Sequence, residues 1–595
     1  MLELKETMAG RENRNTQVTF VPASRWRGFA PFLRERAVRL GDRTALDRAG
    51  TSDAPGTDSG SRFSYADLHS ASLLLADRLI SLGIGTGSHV AILAESGPEW
   101  GIAFFGTMIA GAVLIPLDPK STLAELQAIA SDCRPSLIFA SGGCREKAGN
   151  LVSLCGMESG MVELESLRAG TIEEIGARAG FADKRLSDTA LIVYTSGTTG
   201  AAKGVLITIG NLVFQMEALV TGFRIQEDDR FLSILPMNHL LELTCGLLGV
   251  LHGGAQTIYC ASIFPADVTH ALRTRKATYV ITVPYFLRLL ARQIGAEAGR
   301  KSVPRRLLFA CWQRLTPVLP DSLRRRMFHP VHQALGGRMR GFISGGAPLD
   351  ADTEDFLARL GIRIYQGYGL TETSPVISAN RPGATRARSV GRPLPGVELR
   401  IRSLDHAESD ASGSEAPDGH TGEILTRGPH VMAGYHGRAD LTGQALDPDG
   451  WFHTGDVGHM DGGGFLHITG RIKSLIVLEG GKKIHPEEVE DTLSSLRSIK
   501  EACVLNCAMP GGKEELVAVI VPHGDLSATA SDAPARAFGL GAEARLRMEI
   551  AAALAALSAY KRPARIVFFP GDLPRTASRK IRREDVKTAL RKMGT

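Results

Sequence analysis

At 595 residues the chain is too long for one hydrophobic core and implies two or more domains. Its 44% hydrophobic and 22% charged residues place it among ordinary globular proteins. The net charge of +6 is mild over this length: it favours anionic ligands or an anionic membrane surface and does not call for nucleic acid. Eight scattered Cys with no Cys-x-x-Cys pair exclude a zinc ribbon or disulfide scaffold and read as a reduced cytoplasmic protein.

In chain order, Met1–Phe20 is polar and charged, unlike a signal peptide. Phe63–Leu82 has helical periodicity, with Ser64 placed ahead of Asp67 as a capping pair. Gly87–Ala94 reads as a buried strand. Gly101–Leu117 carries no charge, but it falls short of the about 20 residues a membrane span needs, and Glu99 and Asp118 bound it. It predicts a buried helix followed by a strand. Such alternation argues for an α/β domain with largely parallel sheets. Ala190–Tyr194 is a further apolar strand. Thr51–Arg62, Ser403–Thr421 and His523–Glu543 are rich in Ser, Asp, Ala, Gly and Pro and read as solvated insertions. A boundary falls near Gly470–Lys473, dividing 1–470 from 471–595. Beyond it, Ser474–Leu478 predicts a strand, and His485–Glu490 opens a helix with Pro486 first and acids in the first turn.

Thr195–Gly204 (TSGTTGAAKG) combines three Gly, four hydroxyl residues and one Lys. Gly lets backbone N–H groups approach phosphate oxygens, hydroxyls add donors, and Lys203 adds charge. A Walker loop needs Gly-Lys-[Ser/Thr] in succession, whereas Ala201 and Ala202 separate Gly200 from Lys203. It is a phosphate loop of another kind; the plain alternative is a hairpin turn.

This run resembles the signature loop of the adenylate-forming (AMP-binding) superfamily, which includes acyl-CoA synthetases, adenylation domains and beetle luciferases. The resemblance extends in order through Leu235–Glu242 (LPMNHLLE), Ser344–Leu349 (SGGAPL), Gln366–Thr373 (QGYGLTET), Gly422–Tyr435, Gly450–Asp456 (GWFHTGD), Gly470–Lys473 (GRIK) and Leu573–Arg583 (LPRTASRKIRR). It implies an α/β fold: a large N-terminal domain with sheets flanked by helices, and a small mobile α+β domain. It also implies ATP and CoA as cosubstrates and Mg²⁺ as cofactor.

The resemblance assigns roles residue by residue. Thr195, Ser196, Gly197, Thr198, Thr199, Gly200 and Lys203 cradle the phosphates. Gly367 and Tyr368 suit stacking on adenine, with Gly345, Gly346 and Ala347 on the other face; a core aromatic is the alternative for Tyr368. Gln366, Gly369 and Thr371 complete the nucleotide set. Glu372 and Thr195 hold Mg²⁺, an ion that prefers oxygen ligands. Asp456 takes the ribose hydroxyls, supported by Arg471. Lys580 bridges the acyl oxygen and the α-phosphate, where charge builds as the carboxylate attacks phosphorus. Arg579 stands before this Lys where many relatives carry Gly. The first step needs no general base, because a carboxylic acid with a pKa of about 4.3 is ionised at neutral pH.

For the acid, LPMNHLLE, Arg326–Asp350 and Leu475–Glu490 resemble segments of long-chain fatty acyl-CoA synthetases. His239, Met237, Leu240 and Gly346 are the acyl-site candidates, with a core histidine as the alternative for His239. The apolar run Leu240–Leu251 suits either a tunnel or plain core. Basic Arg300–Arg340 suits an anionic membrane or an ordinary solvated face. For the second step the resemblance makes Lys473 the hinge and places Gly480 and Gly481 beside pantetheine. The acceptor is CoA, with a carrier protein as alternative; a non-catalytic binding relative is the rival of another class.

Overall fold

The computed structural model describes residues 28–50, 62–157, 159–168, 184–196, 202–260, 262, 264–300, 303–316, 319–404, 419–474, 476–477, 483–496, 498–508, 514–523, 541–555, 557–575 and 581–593. The three segments read as insertions lie almost wholly outside them.

Six parallel strands form the middle of a nine-stranded sheet, in the order Ile364–Tyr368, Gly341–Ser344, Tyr279–Thr282, Arg230–Ser233, Gln256–Tyr259 and Thr44–Arg48. Tyr279–Thr282 is buried at every position, as strands covered on both faces are. Short antiparallel pieces close the edges: Ser378–Ala379 and Arg392–Pro393 on one side, Arg62–Ser64 on the other.

A second, seven-stranded sheet centres on His89–Leu93, with Val113–Leu117 and Leu137–Ala140 parallel on either side. Thr189–Ser196 runs parallel to Val113–Leu117 and pairs antiparallel with Ala202–Thr208. That strand runs past the predicted Ala190–Tyr194 because its partner carries the ladder on, to Thr195 opposite Lys203 and Ser196 opposite Ala202. The phosphate-loop segment thus connects the arms of a hairpin.

The helices form as their local signals dictate. Ser64 and Asp67 make a reciprocal capping box at the start of Tyr65–Ser81. The uncharged stretch lies in a helix that begins earlier than predicted, at Pro98, and stops at Gly111, whose φ of 89° suits glycine. All residues of Pro98–Ala110 are buried, and Arg48 meets Glu99 at 2.9 Å. At about 20 Å it is a core helix rather than a span of about 30 Å. No helix among the described residues is long and apolar enough to cross a membrane.

A four-stranded antiparallel sheet follows: Glu398–Ser403, Gly422–Arg427, Phe452–Met460 and Leu466–Arg471. Beyond it, Ile499–Ala508, Glu514–Pro522 and Arg565–Phe568 form a three-stranded sheet with helices Pro486–Ser494, Ala542–Leu554 and Arg583–Lys592. Two hydrophobic clusters consist only of residues from Ile476 onward. The Ser474–Leu478 prediction is met only in part. Ser474 ends a 3₁₀ turn, Ile476–Val477 pairs with Lys483–Ile484, and Leu478 is not among the described residues. Helix Pro486–Ser494 starts as predicted, with Glu487 and Glu488 in its first turn.

Candidate active site

The nine-stranded sheet brings several motifs to the carboxyl ends of its parallel strands, where open α/β sheets bind ligands. Gly345, Gly346 and Ala347 leave Gly341–Ser344; Gln366, Gly367 and Tyr368 end the adjacent strand, with Ser344 opposite Gln366. Gly345 is buried, while Gly346 and Ala347 are exposed. Gly346 has φ +82°, and a side chain there would first meet Val283 Cγ1 at 3.9 Å, so the space beside it is open. Gly369 has the opposite need: a Cβ would collide with the Pro375 carbonyl.

The four-stranded sheet supplies the second group. Its register sets Asp456 opposite Arg471. The buried Asp456 carboxylate accepts from the Tyr368 hydroxyl at 2.7 Å and from Arg471 Nε at 2.5 Å. Its own backbone N–H donates to Thr454 Oγ1 at 3.0 Å. Burial, then the Asp456 charge, raises the Tyr368 phenol well above its ordinary value, so it stays a donor. Burial pulls the Arg471 guanidinium down, but Asp456 outweighs it and the group stays cationic. Each carboxylate oxygen keeps a further lone pair, which suits a vicinal diol.

The hairpin supplies the third group. Gly434–Tyr435 pairs with the Lys203-bearing strand, Tyr435 opposite Val205, and His436 N–H donates to the Gly204 carbonyl at 2.7 Å. Met432 N–H donates to the Glu372 carbonyl at 2.9 Å. Tyr435 therefore engages two predicted site residues. Its hydroxyl donates to Glu372 Oε1 at 3.0 Å, and Lys203 Nζ lies 5.4 Å from its ring centroid. Burial and the Glu372 charge raise its phenol. No role was assigned to Tyr435 from the sequence; the signal was its Gly-Tyr pair, which repeats Gly367–Tyr368.

The fit to Mg²⁺ follows from the donor set. Among the described residues no cluster of three or more His, Cys, Asp or Glu could hold a metal. Glu372 sits in the Thr371–Thr373 turn; its carboxylate accepts from Tyr435 and lies within electrostatic reach of Arg471. One carboxylate suits an ion that keeps its waters and takes phosphate oxygens as further ligands.

At the acyl end, the chain after Arg230–Ser233 places His239 exposed, while Met237 and Leu240 lie in the hydrophobic core. The neighbour Leu241 is the side chain that faces Gly345, 3.3 Å from where a Cβ would stand. Within the Leu240–Leu251 run, expected to line a tunnel or core, Leu241–Leu248 is a π-helix, a form frequent at functional sites. Inside it Glu242 is fully buried against Gly246, and burial pushes its carboxyl up to about 8, so it is neutral at pH 7.

Three arginines of the basic stretch are bound into the fold. Arg324 donates to the carbonyls of Leu319 (2.9 Å) and Ala358 (3.1 Å), Arg325 to that of Met339, and Arg340 to both oxygens of Asp229 at 2.7 and 2.8 Å. Trp312 packs edge-on against Phe328. Lys473 is exposed in the Ile472–Ser474 turn. Gly197, Thr198, Thr199, Gly200, Gly480, Gly481 and Lys580 lie outside the described residues, as does the side chain of Ser196.

The family model described as AMP-binding enzyme matches residues 33–436. A long-chain-fatty-acid–CoA ligase, FadD15, of Mycobacterium bovis is 30% identical over 73% of each chain. A feruloyl-CoA synthase of an Amycolatopsis species is 30% identical over 78% of this chain and 84% of its own. The ATP-bound crystal structure of MatB from Rhodopseudomonas palustris superposes with a TM-score of 0.74 at 26% identity, covering 95% of this chain and 100% of that one. The chain belongs to the AMP-binding enzyme family. It is an acid–thiol ligase that uses ATP and CoA and works through an acyl-adenylate. The relatives differ in their acids, so family membership leaves the acid open.

Proposed function

We propose that this chain activates a medium- or long-chain fatty acid as acyl-AMP and transfers the acyl group to CoA. The observation that carries the choice of acid is the aliphatic wall beside the diglycine: Leu241 faces Gly345 and Val283 faces Gly346, with open space beside Gly346. The resemblance of the LPMNHLLE segment and the similarity to FadD15 point the same way.

In the first half-reaction the ionised carboxylate attacks the α-phosphorus, the bond to the β-phosphate oxygen breaks, and pyrophosphate leaves. Asp456 and Arg471 hold the ribose, Tyr368 and the Gly345–Ala347 turn hold adenine, and Lys203 with the 195–200 segment draws the phosphates into line. Glu372 and Thr195 would hold Mg²⁺, which supplies charge neutralisation for the departing pyrophosphate. Lys580 would stabilise charge at the reacting oxygens. In the second half-reaction the CoA thiolate attacks the acyl carbon and AMP leaves. The 471–595 unit turns about Lys473 between the steps, exchanging Lys580 for Gly480 and Gly481.

The test is pyrophosphate release across acids from acetate to long-chain and aryl acids, with CoA or a carrier protein. Highest turnover on medium or long chains, with an acyl-CoA product, is expected. A preference for aryl or short acids would refute the choice of acid. A thioester formed only on carrier protein would replace CoA as acceptor.

A further inference from the structure

A cation meant for phosphate and a carboxylate meant for a metal share one cleft here. Left adjacent, they would attract each other and cancel, since opposite charges at about 4 Å gain energy wherever water is partly excluded. Yet Lys203 and Glu372 form no ion pair with each other. Tyr435 engages both: its ring face carries Lys203 Nζ at 5.4 Å from the centroid, and its hydroxyl donates to Glu372 at 3.0 Å. The ring offers Lys203 a weak, easily exchanged partner. The hydroxyl offers Glu372 a neutral donor that leaves its charge intact.

Tyr435 is itself tightly placed. Its backbone N–H donates to Thr442 Oγ1 at 2.9 Å, its strand pairs with Val205, and its neighbours Met432 and His436 bond to the backbones of Glu372 and Gly204. The segment therefore ties the metal-side turn to the phosphate-side hairpin.

We infer that Tyr435 is a positioning residue that insulates Lys203 from Glu372, keeping both charges available for Mg²⁺-bound ATP. This rests on the assignment of Lys203 to phosphate and Glu372 to the metal. A residue that only stabilised the fold would not make the effect of its loss depend on Lys203.

The readout is calorimetric titration of the full chain with ATP, with and without Mg²⁺; the ratio of the two dissociation constants is the metal-dependent gain. Tyr435→Leu is expected to cut that gain about five- to tenfold, because Glu372 becomes trapped by Lys203. Adding Lys203→Met to that background is expected to restore the gain to within about twofold of wild type, although ATP binds more weakly overall. Tyr435→Phe keeps the spacer and is expected to lose clearly less of the gain than Leu. A Leu variant with an unchanged gain, no recovery with Lys203→Met, or a Phe variant as impaired as Leu would overturn the inference. Thermal unfolding of each variant checks folding; if Leu is unstable, Tyr435→Met takes its place in the same comparisons. Glu372→Gln should abolish the gain in every background; if it does not, the metal assignment itself fails.

Discussion

Replacing Asp456 by Ala tests the nucleotide half of the site. The carboxylate is 3% exposed and already accepts from Tyr368 at 2.7 Å and Arg471 at 2.5 Å. A bound ribose adds two hydrogen bonds to the remaining lone pairs. Bonds to a charged group are worth about 1.5–3 kcal/mol each, and sharing with Tyr368 and Arg471 argues for the lower end. The sum, about 3 kcal/mol, corresponds to an increase in the ATP dissociation constant of about 10². The fold should lose less. Arg471 keeps 46% of its side chain exposed and rehydrates once freed, so the stability cost is about 1–2 kcal/mol. Titration calorimetry with ATP and with 2′-deoxy-ATP separates the two effects. Wild type should discriminate against the deoxy ligand by about tenfold, and the variant should not. Binding of ATP within threefold of wild type, or undiminished discrimination, would refute the ribose assignment.

Lys580→Ala should slow adenylation by about 10²–10³ while thioester formation from supplied acyl-AMP survives; equal losses in both half-reactions would contradict the exchange of roles between steps. Leu241→Ala should shift the acyl profile toward longer or bulkier acids and Leu241→Trp toward shorter ones, read as kcat/KM across a chain-length series; parallel losses for every acid would remove Leu241 from the acyl wall. Glu242 has a carboxyl raised to about 8 in the folded chain, so the native state holds a proton that the unfolded chain releases near 4.5. Its contribution to stability is therefore fully present below about pH 4.5 and lost as pH rises through 8. Glu242→Gln should flatten the fall in Tm over that window and stabilise the protein at pH 8 by on the order of several kcal/mol; an unchanged slope would show that the buried acid does not control it.

Much of the fold was legible along the chain. The Ser64–Asp67 box and Pro486 opening a helix act within a single turn, and sequence spacing reports such local signals directly, whereas the start of the uncharged helix at Pro98 was missed. The end of the Thr189–Ser196 strand was not legible in this way, because its last residues are held by a partner strand rather than by their own propensity. Part of the basic stretch was illegible for the same reason. Composition counts Arg324, Arg325 and Arg340 as surface charge, while the fold aims them at carbonyls and at Asp229.

For the site, the sequence by itself determined the chemistry: a Gly- and hydroxyl-rich loop with a Lys, a carboxylate beside threonines, and a carboxylate within Thr-Gly-Asp, all in a fixed order. Order and residue type suffice for that, because each motif carries its own donors and acceptors. Only the tertiary structure decided which groups meet. It joined Tyr368 to Asp456 and Arg471 across two sheets, turned Leu241 rather than Leu240 toward Gly345, and set Tyr435 against both Lys203 and Glu372. These contacts link residues far apart along the chain. Strand register and helix phase position them, and a shift of one residue in either turns a side chain from the cleft into the core.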